Sequence, residues 1–368
     1  MATPATIPNE TLLTAVESAD NFDFHQHKDE LTVFCLSNDT TSFAAPIGLL
    51  WPEVVEALRE DNEDSIKEGK LPTWGFLPDD NTELNDLHPQ RRISHAFFSS
   101  HIAPNSSARS EAIDATLTRW RQSGKFSNVI GGRLWRNELY PIYADPFRCL
   151  AHLQKGSVDG SADGVVFNVE RAAAALFGVV TYGVHMTIFQ RPAFGKEGEV
   201  MIWVATRSKT KQTWPGWLDN SVAGGIPSGM SPFESLVKES MEEASLAEDI
   251  VRKHTHSVGA VSYFFQKGRW LQPEVEFVYD LEIPSTLPEE SDSFQPKPLD
   301  GEVEKFEFLP LSEVVARIHK GLFKPNCAVV LVDFLIRHGF ITPELEPNYL
   351  EINTRIHSTF EYTQWARI

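Results

Sequence analysis

Apolar and polar residues alternate along several stretches in the second half of the chain, and this period of two is typical of strands buried on one face. The pattern predicts strands over 179–190, 199–208, 257–266, 274–283 and 301–310. Within the fourth stretch, Val275, Phe277 and Tyr279 alternate with polar residues. Glu274 and Glu276 therefore share one face of that strand, which brings two carboxylates close together.

Apolar residues at helical spacing predict helices before and between these strands. The predicted helices cover 49–61, 110–124, 168–178, 311–321 and 326–339. Ser110 is the expected N-cap of the second helix, Gly124 marks its end, and Asn326 is the expected cap of the last. Strands interleaved with a few helices suit a sheet packed between helices, so we expect an α/β fold.

The chain is long enough, at 368 residues, for two domains with their own cores. We expect a flexible N-terminus over 1–20, a mixed α/β domain over 21–165, a second domain over 168–345 and a C-terminal extension over 346–368. The segment 155–164 is rich in glycine and serine, which makes it the expected linker between the domains.

The net charge is strongly negative, at −18, from 51 acidic and 33 basic residues. A general grip on nucleic acid needs clustered lysine and arginine, so we expect no nucleic-acid partner. A small anionic substrate is still compatible, because a few basic residues and a metal act locally. The oligomeric state is left open by the sequence.

Location is indicated by three observations. The cysteines, Cys35, Cys149 and Cys327, are few and far apart, which fits a reducing compartment. The chain has no run of about 18 apolar residues, so we expect no membrane span. The N-terminus has neither a basic region followed by an apolar core nor the arginine content of a transit peptide. We therefore expect a cytoplasmic protein.

A glycine loop and an acidic helix follow each other within residues 224–246. Gly224 and Gly225 belong to the loop, where the backbone can approach a phosphate closely. Ser231 is the expected N-cap of the helix, and Pro232 suits its first position.

One turn of this helix carries Glu239, Glu242 and Glu243. Like charges three or four residues apart repel by about a few tenths of a kcal/mol per pair. A divalent cation between the carboxylates would remove that repulsion, and Mg²⁺ prefers carboxylate oxygens together with substrate phosphates. We expect these three glutamates and Glu274 to hold Mg²⁺ or Mn²⁺. The residue that accepts a proton is expected among the three helix glutamates, Glu274, Glu276 and Glu302.

A small basic cluster precedes the glycine loop, with Arg207, Lys209 and Lys211 within five residues of each other. Trp214 and Trp217 lie on either side of a Pro-Gly turn beside it. Basic side chains could hold a diphosphate and an indole ring could stack on an organic ring. A solvated hairpin tip is the alternative interpretation of the same residues.

The stretch from 224 to 246 resembles a Nudix box, whose pattern is G-x5-E-x7-R-E-U-x-E-E-x-G-U with U a bulky aliphatic residue. The first glycine falls on Gly224, the R-E pair on Lys238 and Glu239, the E-E pair on Glu242 and Glu243, and the last aliphatic position on Leu246. Three other positions depart from the pattern, at Met230, Ser240 and Ser245, and the arginine is replaced by Lys238. The glutamate missing at Met230 puts the usual salt bridge from loop to helix in doubt.

The resemblance implies an α/β/α sandwich of Nudix type and a metal-dependent hydrolase that cleaves a diphosphate linked to an organic group. A wider resemblance, over most of residues 20–360, is to a Nudix branch whose Nudix domain follows an N-terminal segment and in some fungi precedes a thiamine pyrophosphokinase domain. That branch implies damaged forms of thiamine diphosphate, such as oxothiamine and oxythiamine diphosphate, as substrates that are cut to the monophosphate plus phosphate.

Two alternatives stay open. Isopentenyl-diphosphate isomerases share the Nudix fold, and the E-x-E of Glu274 and Glu276 resembles their strand motif. They rely on a cysteine close to the glycine loop, whereas the cysteines here are distant in sequence from Gly224. A diphosphate-binding module without turnover is the second alternative, because the box glutamate is missing at Met230.

Overall fold

The computed structural model describes residues 10–38, 46–79, 92–147, 164–285 and 292–361, together with Trp365. Its helices are α1 Leu13–Glu17, α2 Phe24–His27, α3 Pro52–Lys67, α4 Ser106–Ser123, α5 Ser127–Ile130, α6 Ala174–Phe177, α7 Pro232–Ala244, α8 Glu248–His254, α9 Leu311–His319, α10 Pro325–Arg337 and α11 Tyr349–Ile356. Its strands are β1 Thr32–Cys35, β2 Gly48–Leu50, β3 Trp74–Pro78, β4 Ile93–Phe98, β5 Leu139–Tyr143, β6 Val165–Glu170, β7 Thr181–Gln190, β8 Met201–Arg207, β9 Leu218–Asp219, β10 Val222–Gly225, β11 Thr255–Lys267, β12 Trp270–Glu282 and β13 Val303–Pro310. Single 3₁₀ turns cover Gly132–Leu134 and Arg171–Ala173.

The second half of the chain is built on a mixed sheet with the order β11-β12-β7-β8-β13. Strands β12 and β7 run parallel, and the other pairs are antiparallel. Strand β7 pairs with β10 over residues 183–186 but with β8 only at Phe189 and Gln190. The sheet therefore forks beside β7, and the short strand β10 fills the fork.

Helices cover both faces of this sheet. On one face, Leu236 and Val237 of α7 share a core with Val184 of β7. On the other, Phe334 of α10 shares a second core with Val278 of β12. The expected α/β/α sandwich is confirmed, because the chain is apolar on both faces of its central strands and both faces need cover.

The first half forms a separate four-stranded sheet with the order β2-β1-β4-β3, and β5 pairs with β6 beside it. A core rich in aromatic rings fills this region, including Phe34, Trp74 and Phe177. The expected mixed α/β architecture of the first half is confirmed. The boundaries of the two domains remain a proposal, and most of the expected linker, residues 155–163, lies outside the described residues.

A buried carboxylate, Asp61 of α3, ties this core together. Its side chain is 1% exposed and accepts two hydrogen bonds from Arg119, at 2.6 and 2.8 Å. Thr116 donates a third at 2.8 Å and the indole of Trp74 a fourth at 3.2 Å. Both oxygens of this carboxylate thus have donors, as a charge buried in a core requires.

Several predicted helices differ from those observed. Helix α4 begins four residues before Ser110, because the side chain of Asn105 caps it by accepting from the backbone N–H of Ala108 at 2.9 Å. Ser110 lies inside the helix and donates to the carbonyl of Ser106 at 2.7 Å. Residues 168–170, predicted as the start of a helix, are the end of strand β6, since they pair with β5. Asn326 likewise lies inside α10, whose N-cap is Lys324.

The segment 10–20 is not a loose tail, contrary to expectation. Leu12 and Val16 are buried in the same core as α10, and Glu346 accepts hydrogen bonds from the backbone of Leu12 and the hydroxyl of Thr11. Leu12, the N-cap residue of α1, and Val16 are four residues apart and therefore lie on one side of the helix, which this core covers. Residues 1–9 lie outside the described part of the chain.

The edge strand β11 is bordered by the segment that follows α1. The carbonyl of Phe264 accepts hydrogen bonds from the backbone N–H groups of Asn21 and Phe22, at 3.2 and 3.0 Å. Side chains complete the contact, because Asp20 accepts from the backbone of Phe264 and Asn21 accepts from the backbone of Gln266. The N-terminal segment thus occupies hydrogen-bonding groups along the open side of the sheet.

Candidate active site

The floor of the site is a row of residues across three neighbouring strands. Gly183 of β7 lies opposite Glu276 of β12 on one side and Gly225 of β10 on the other. A Cβ atom at Gly183 would overlap the carboxylate of Glu276. One at Gly225 would overlap the hydroxyl of Tyr140, which comes from the first half of the chain. These glycines leave the space in which side chains from different elements meet.

Helix α7 supplies two carboxylates to this space. Its cap is as predicted, with the side chain of Ser231 accepting from the backbone N–H of Glu234. A Cβ atom at Gly224 would overlap the side chain of Glu239, so the glycine loop lets that side chain lie against β10. The side chains of Glu239 and Glu243 are only 15% and 10% exposed. They are four residues apart and therefore lie on one face of the helix.

Glu242 takes a different position from the one expected. Its side chain is 53% exposed and pairs with Lys238 at 3.0 Å. It lines neither of the two cavities described below. Position 242 is displaced around the helix from the face that Glu239 and Glu243 share, because a residue next to Glu243 lies about 100° away from it.

Burial changes the acidity of both helix carboxylates that face the site. It raises the pKa of Glu243 to about 7, against the opposing charge of Lys211, whose Nζ is 3.4 Å from the carboxylate. Burial also raises the pKa of Glu239, although Lys238 lies 3.3 Å away. Both carboxylates are thus short of neighbouring positive charge.

Glu276 lies in a network of buried polar groups. Its Oε1 accepts from the hydroxyl of Tyr263 at 2.7 Å and from the amide of Asn326 at 3.2 Å, and the ring of His185 is 3.5 Å away. Burial alone would raise the pKa of Glu276, but the charge of His185 lowers it to about 2. The same pairing raises the pKa of His185 despite its burial.

The second oxygen of Glu276, Oε2, is buried and has no hydrogen-bond partner among the described residues. The neighbouring Glu274 shares the hydroxyl of Tyr263 with Glu276. Burial and the charge of Glu276 raise the pKa of Glu274. The expected alternation along β12 thus brings both carboxylates to the site.

The basic cluster is divided by the fold. Arg207 is committed to Asp219, at 2.5 Å, and to the carbonyls of Trp214 and Thr213, at 3.1 and 3.0 Å. Lys211 reaches into the site and pairs with Glu243 and with Glu302. Lys209 is 82% exposed, 3.8 Å from Glu304, and lines neither cavity. Arg207 holds the loop in place, and Lys211 is the member of the cluster that meets the helix carboxylates.

The two tryptophans are in edge-to-face contact, with ring centroids 4.9 Å apart. Trp214 lines the larger of the two cavities described next, and the ammonium of Lys267 lies 5.7 Å from its ring centroid. Trp217 faces a separate surface depression beside Leu218 and Leu322. The structure thus brings Trp214, and not Trp217, towards the site.

Two cavities meet at this site. The acidic cleft has a volume of about 140 Å³ and contains Glu239, Glu243, Glu276, Gly224 and Gly225. The adjoining chamber has a volume of about 420 Å³ and lies between the first half of the chain and the ends of β11 and β12. Their shared lining residues are Arg136, Tyr140, Arg171, Thr213, Glu274, Lys324 and Asn326.

Comparison with known proteins identifies the family. Residues 188–327 match the NUDIX domain model. The chain is 39% identical over 260 residues to the uncharacterized protein YJR142W of Saccharomyces cerevisiae, which covers 68% of both chains. It is 41% and 37% identical over 224 residues to two Arabidopsis thaliana proteins named Nudix hydrolase 20 and Nudix hydrolase 24, both chloroplastic. Those matches cover 61% of this chain and about half of each plant protein, at 52% and 54%.

Residues 188–327 belong to the Nudix superfamily. The expectation of a hydrolase that acts on diphosphate-containing substrates is confirmed at that level. None of the helices in the described part of the chain has the length and the apolar run that a membrane span requires.

The departures from the Nudix box have a visible consequence. Where the pattern has a loop glutamate the chain has Met230, and Lys238 pairs with Glu239 and Glu242 on its own helix at 3.3 and 3.0 Å. The other site glutamates are unaffected by this exchange. The missing loop glutamate therefore changes the partner of residue 238 and leaves the acidic cleft in place.

Nudix hydrolases generally use Mg²⁺ or Mn²⁺, and the donors of the cleft fit such an ion. Hard cations favour carboxylate oxygens, and the cleft contains Glu239 and Glu243, both short of positive charge, beside the unpartnered Oε2 of Glu276. The carboxylates of Glu243, Asp300 and Glu302 also come within 4.8 Å of one another at its mouth.

A second cluster, His185, Asp219 and Cys327, has donor atoms equally close together. It fits a metal poorly, because the thiol of Cys327 already donates to Asp219 at 2.8 Å and the ring of His185 is bonded to Asn220 at 2.6 Å. This cluster is a buried hydrogen-bond network at the floor of the cleft, which His185 and Asp219 line.

Several site residues were missed by the sequence analysis. They are Arg136, Tyr140, Arg171, Tyr263, Asp300, Lys324 and Asn326. Tyr263 could have been found from strand pairing, since it lies directly opposite Glu274 in the hairpin of β11 and β12. The residues from the first half had no signal of their own, because the contact that brings them to the cleft is a tertiary one.

Proposed function

We propose that this chain is a metal-dependent hydrolase that cleaves the diphosphate of a small organic diphosphate into a monophosphate and phosphate. The observation that carries the proposal is the acidic cleft, where Glu239 and Glu243 are buried without enough positive charge and adjoin a chamber large enough for an organic group. Damaged forms of thiamine diphosphate, such as oxothiamine and oxythiamine diphosphate, are the first substrates to test. That choice rests on the resemblance of the sequence segments.

In the proposed mechanism Glu239, Glu243 and Glu274 would hold Mg²⁺ or Mn²⁺, and the ion would neutralise phosphoryl charge and make a bound water more acidic. Water adds to one phosphorus while the bond from that phosphorus to the bridging oxygen breaks. A carboxylate of the cleft takes the proton of the water. Lys211 neutralises part of the charge at the mouth of the cleft.

Glu276 is expected to act by positioning. Its carboxylate is fixed by Tyr263, Asn326 and His185 and remains ionised because of the charge of His185. It therefore supplies a permanent negative charge beside Glu274, and its free Oε2 is available to a ligand in the cleft.

The position of Cys327 bears on the isomerase alternative. Cys327 is distant from Gly224 in sequence, yet it lies beneath the cleft, next to Asp219 and to Asn326. However, its side chain is fully buried and lines neither cavity, so it does not reach a substrate in either. Burial of the Cys327 thiol, rather than its distance from Gly224 in sequence, therefore counts against an isomerase.

A panel of diphosphates with Mg²⁺ or Mn²⁺ tests the proposal. It contains thiamine diphosphate, its oxidised analogues, nucleoside diphosphates and dinucleotides, and released phosphate or monophosphate is measured. Hydrolysis of at least one organic diphosphate is expected. An isomerase would convert isopentenyl diphosphate without releasing phosphate, and a binding module would bind without turnover, so either result would reject the proposal.

The cytoplasmic location and the absence of a nucleic-acid partner also remain proposals, supported by the composition and the charge of −18. The plant relatives carry the word chloroplastic in their names. Fractionation with an antibody to the full chain tests the first, and a binding assay with labelled nucleic acid tests the second.

A further inference from the structure

The chamber beside the cleft is positively charged, although the protein as a whole is strongly acidic. Its charged lining residues are Arg136, Arg171, Lys267, Lys324 and Glu274, so cations outnumber the acid by four to one. The net charge of the chain is −18. A concentration of cations at this one place favours an anionic ligand.

Two of these cations lie within salt-bridge distance of no carboxylate among the described residues. Among the described residues, neither Arg136 nor Lys324 forms an ion pair or a side-chain hydrogen bond. Both are partly buried, and both line the cleft as well as the chamber. Partly buried cations generally have partners, because taking a charge out of water costs free energy. Both side chains are therefore available to a ligand at the junction.

A neighbouring cation increases the demand for an anion there. Arg171 pairs with Glu138 at 2.8 Å and lies over the ring of Tyr140, 5.2 Å from its centroid. Burial and then the charge of Arg171 lower the pKa of Arg136, so the two guanidinium groups repel each other. An anion bound at this junction would relieve that repulsion.

The rest of the chamber suits an organic ring. Trp214, Phe265 and Trp270 contribute aromatic surface, and Leu134 and Ala175 come from the first half of the chain. A volume of about 420 Å³ is near the lower end of small-molecule sites, which span roughly 300–1,000 Å³. The space fits one organic group of one or two rings better than the two nucleosides of a dinucleotide.

We propose that Arg136 and Lys324 bind the diphosphate of the substrate at the junction of the two cavities, while the chamber holds its single organic group. The first half of the chain then determines specificity, since it supplies Arg136 and one wall of the chamber. This inference rests on the proposed function, because it assigns the substrate of the same site.

Binding and turnover are measured separately to test it. Isothermal titration of imidodiphosphate, which resists hydrolysis, is carried out with Mg²⁺ on the full chain. Arg136→Ala and Lys324→Ala are each expected to weaken its binding about tenfold or more, as loss of a charged hydrogen bond does. Arg133→Ala and Lys320→Ala, two exposed neighbours outside both cavities, serve as matched controls and stay within about twofold.

The chamber is tested by filling it. Ala175→Trp is expected to raise the KM of hydrolysed organic diphosphates about tenfold or more while imidodiphosphate affinity stays within about twofold. Leu134→Trp is the second variant if the first does not fold by circular dichroism. Equal losses for both ligands, or none, would overturn the role of the chamber.

The two proposals fail in different ways. Imidodiphosphate affinity that is unchanged in Arg136→Ala and Lys324→Ala overturns the inference, even if hydrolysis is observed in the parent. If no organic diphosphate is hydrolysed yet these variants lose imidodiphosphate binding, the function is rejected and the anion site stands.

Discussion

Two buried groups of carboxylates in this protein are treated in opposite ways. Asp61, in the core of the first half, receives four hydrogen bonds, two of them from Arg119. Glu239 and Glu243, in the cleft, are nearly as buried but have only lysines at 3.3 and 3.4 Å. The protein itself supplies the cation and the hydrogen-bond donors of Asp61, whereas Glu239 and Glu243 need a further cation.

This difference separates a structural charge from a functional one. A buried ion pair that is also hydrogen-bonded holds its elements together, and removal of one member leaves the other uncompensated. Carboxylates that lack such partners shift their pKa upwards, as Glu243 does, to about 7. Strongly perturbed pKa values in a cleft therefore indicate a functional site.

The largest expected effect is on stability, from removal of Asp61 and its hydrogen bonds. Asp61→Ala should lower the free energy of unfolding by about 3–5 kcal/mol, because it leaves Arg119 without its buried partner. Urea denaturation measures this change. Glu60→Ala is the control, since Glu60 is half exposed and its pair with Lys125 is worth about 0–1 kcal/mol. Equal stability of the two variants would contradict the comparison.

The next effect is smaller and concerns the activation free energy of hydrolysis at the acidic cleft. Glu239→Gln should lower kcat about a hundredfold or more, equivalent to about 2.7 kcal/mol, and should leave the free energy of unfolding unchanged or slightly raised. Steady-state hydrolysis and urea denaturation measure both. Glu248→Gln, an exposed acid on the next helix, is the control. Parent-level turnover in Glu239→Gln would show that the site is misplaced.

The mildest test uses pH. Because the folded pKa of Glu243 lies above its ordinary value of 4.5, its protonated form is favoured in the fold. The stabilisation is present at low pH and is lost as pH rises from about 4.5 through about 7. Mg²⁺ competes with this proton, so its affinity should rise about tenfold per pH unit below pH 7 and then level off. Titration calorimetry in buffers of different ionisation enthalpy should show proton release at pH 6, and none would contradict the assignment.

Much of the fold could be predicted from local patterns. The strands of the main sheet and the capped helix α7 follow period and capping residues that lie within a few positions of each other. The errors arose where tertiary contacts decide. Residues 168–170 have helix-forming neighbours, but pairing with β5 makes them a strand. The segment 10–20 has a weak helical pattern that is stable because α10 covers it.

The candidate site was predictable only in part for the same reason. Helical and strand periods predicted that Glu239, Glu243, Glu274 and Glu276 lie together, and all four line the cleft. Glu242 lies on the solvent side of α7, where it pairs with Lys238. Arg207 looked like a ligand for phosphate, yet it is used by Asp219 and two loop carbonyls. The sequence did not indicate that Arg136 and Lys324 line the site, because tertiary contacts between distant segments bring them there and no short-range pattern marks such contacts.

The segment before α2 has a protective consequence. An edge strand with free N–H and C=O groups is a template on which a second chain can add. Asp20 and Asn21 occupy such groups on β11 at Phe264 and Gln266, and Arg355 holds Asp20 in place at 3.0 Å. The segment that follows α1 thus occupies hydrogen-bonding groups at the open margin of the sheet, where a second chain could otherwise add a strand.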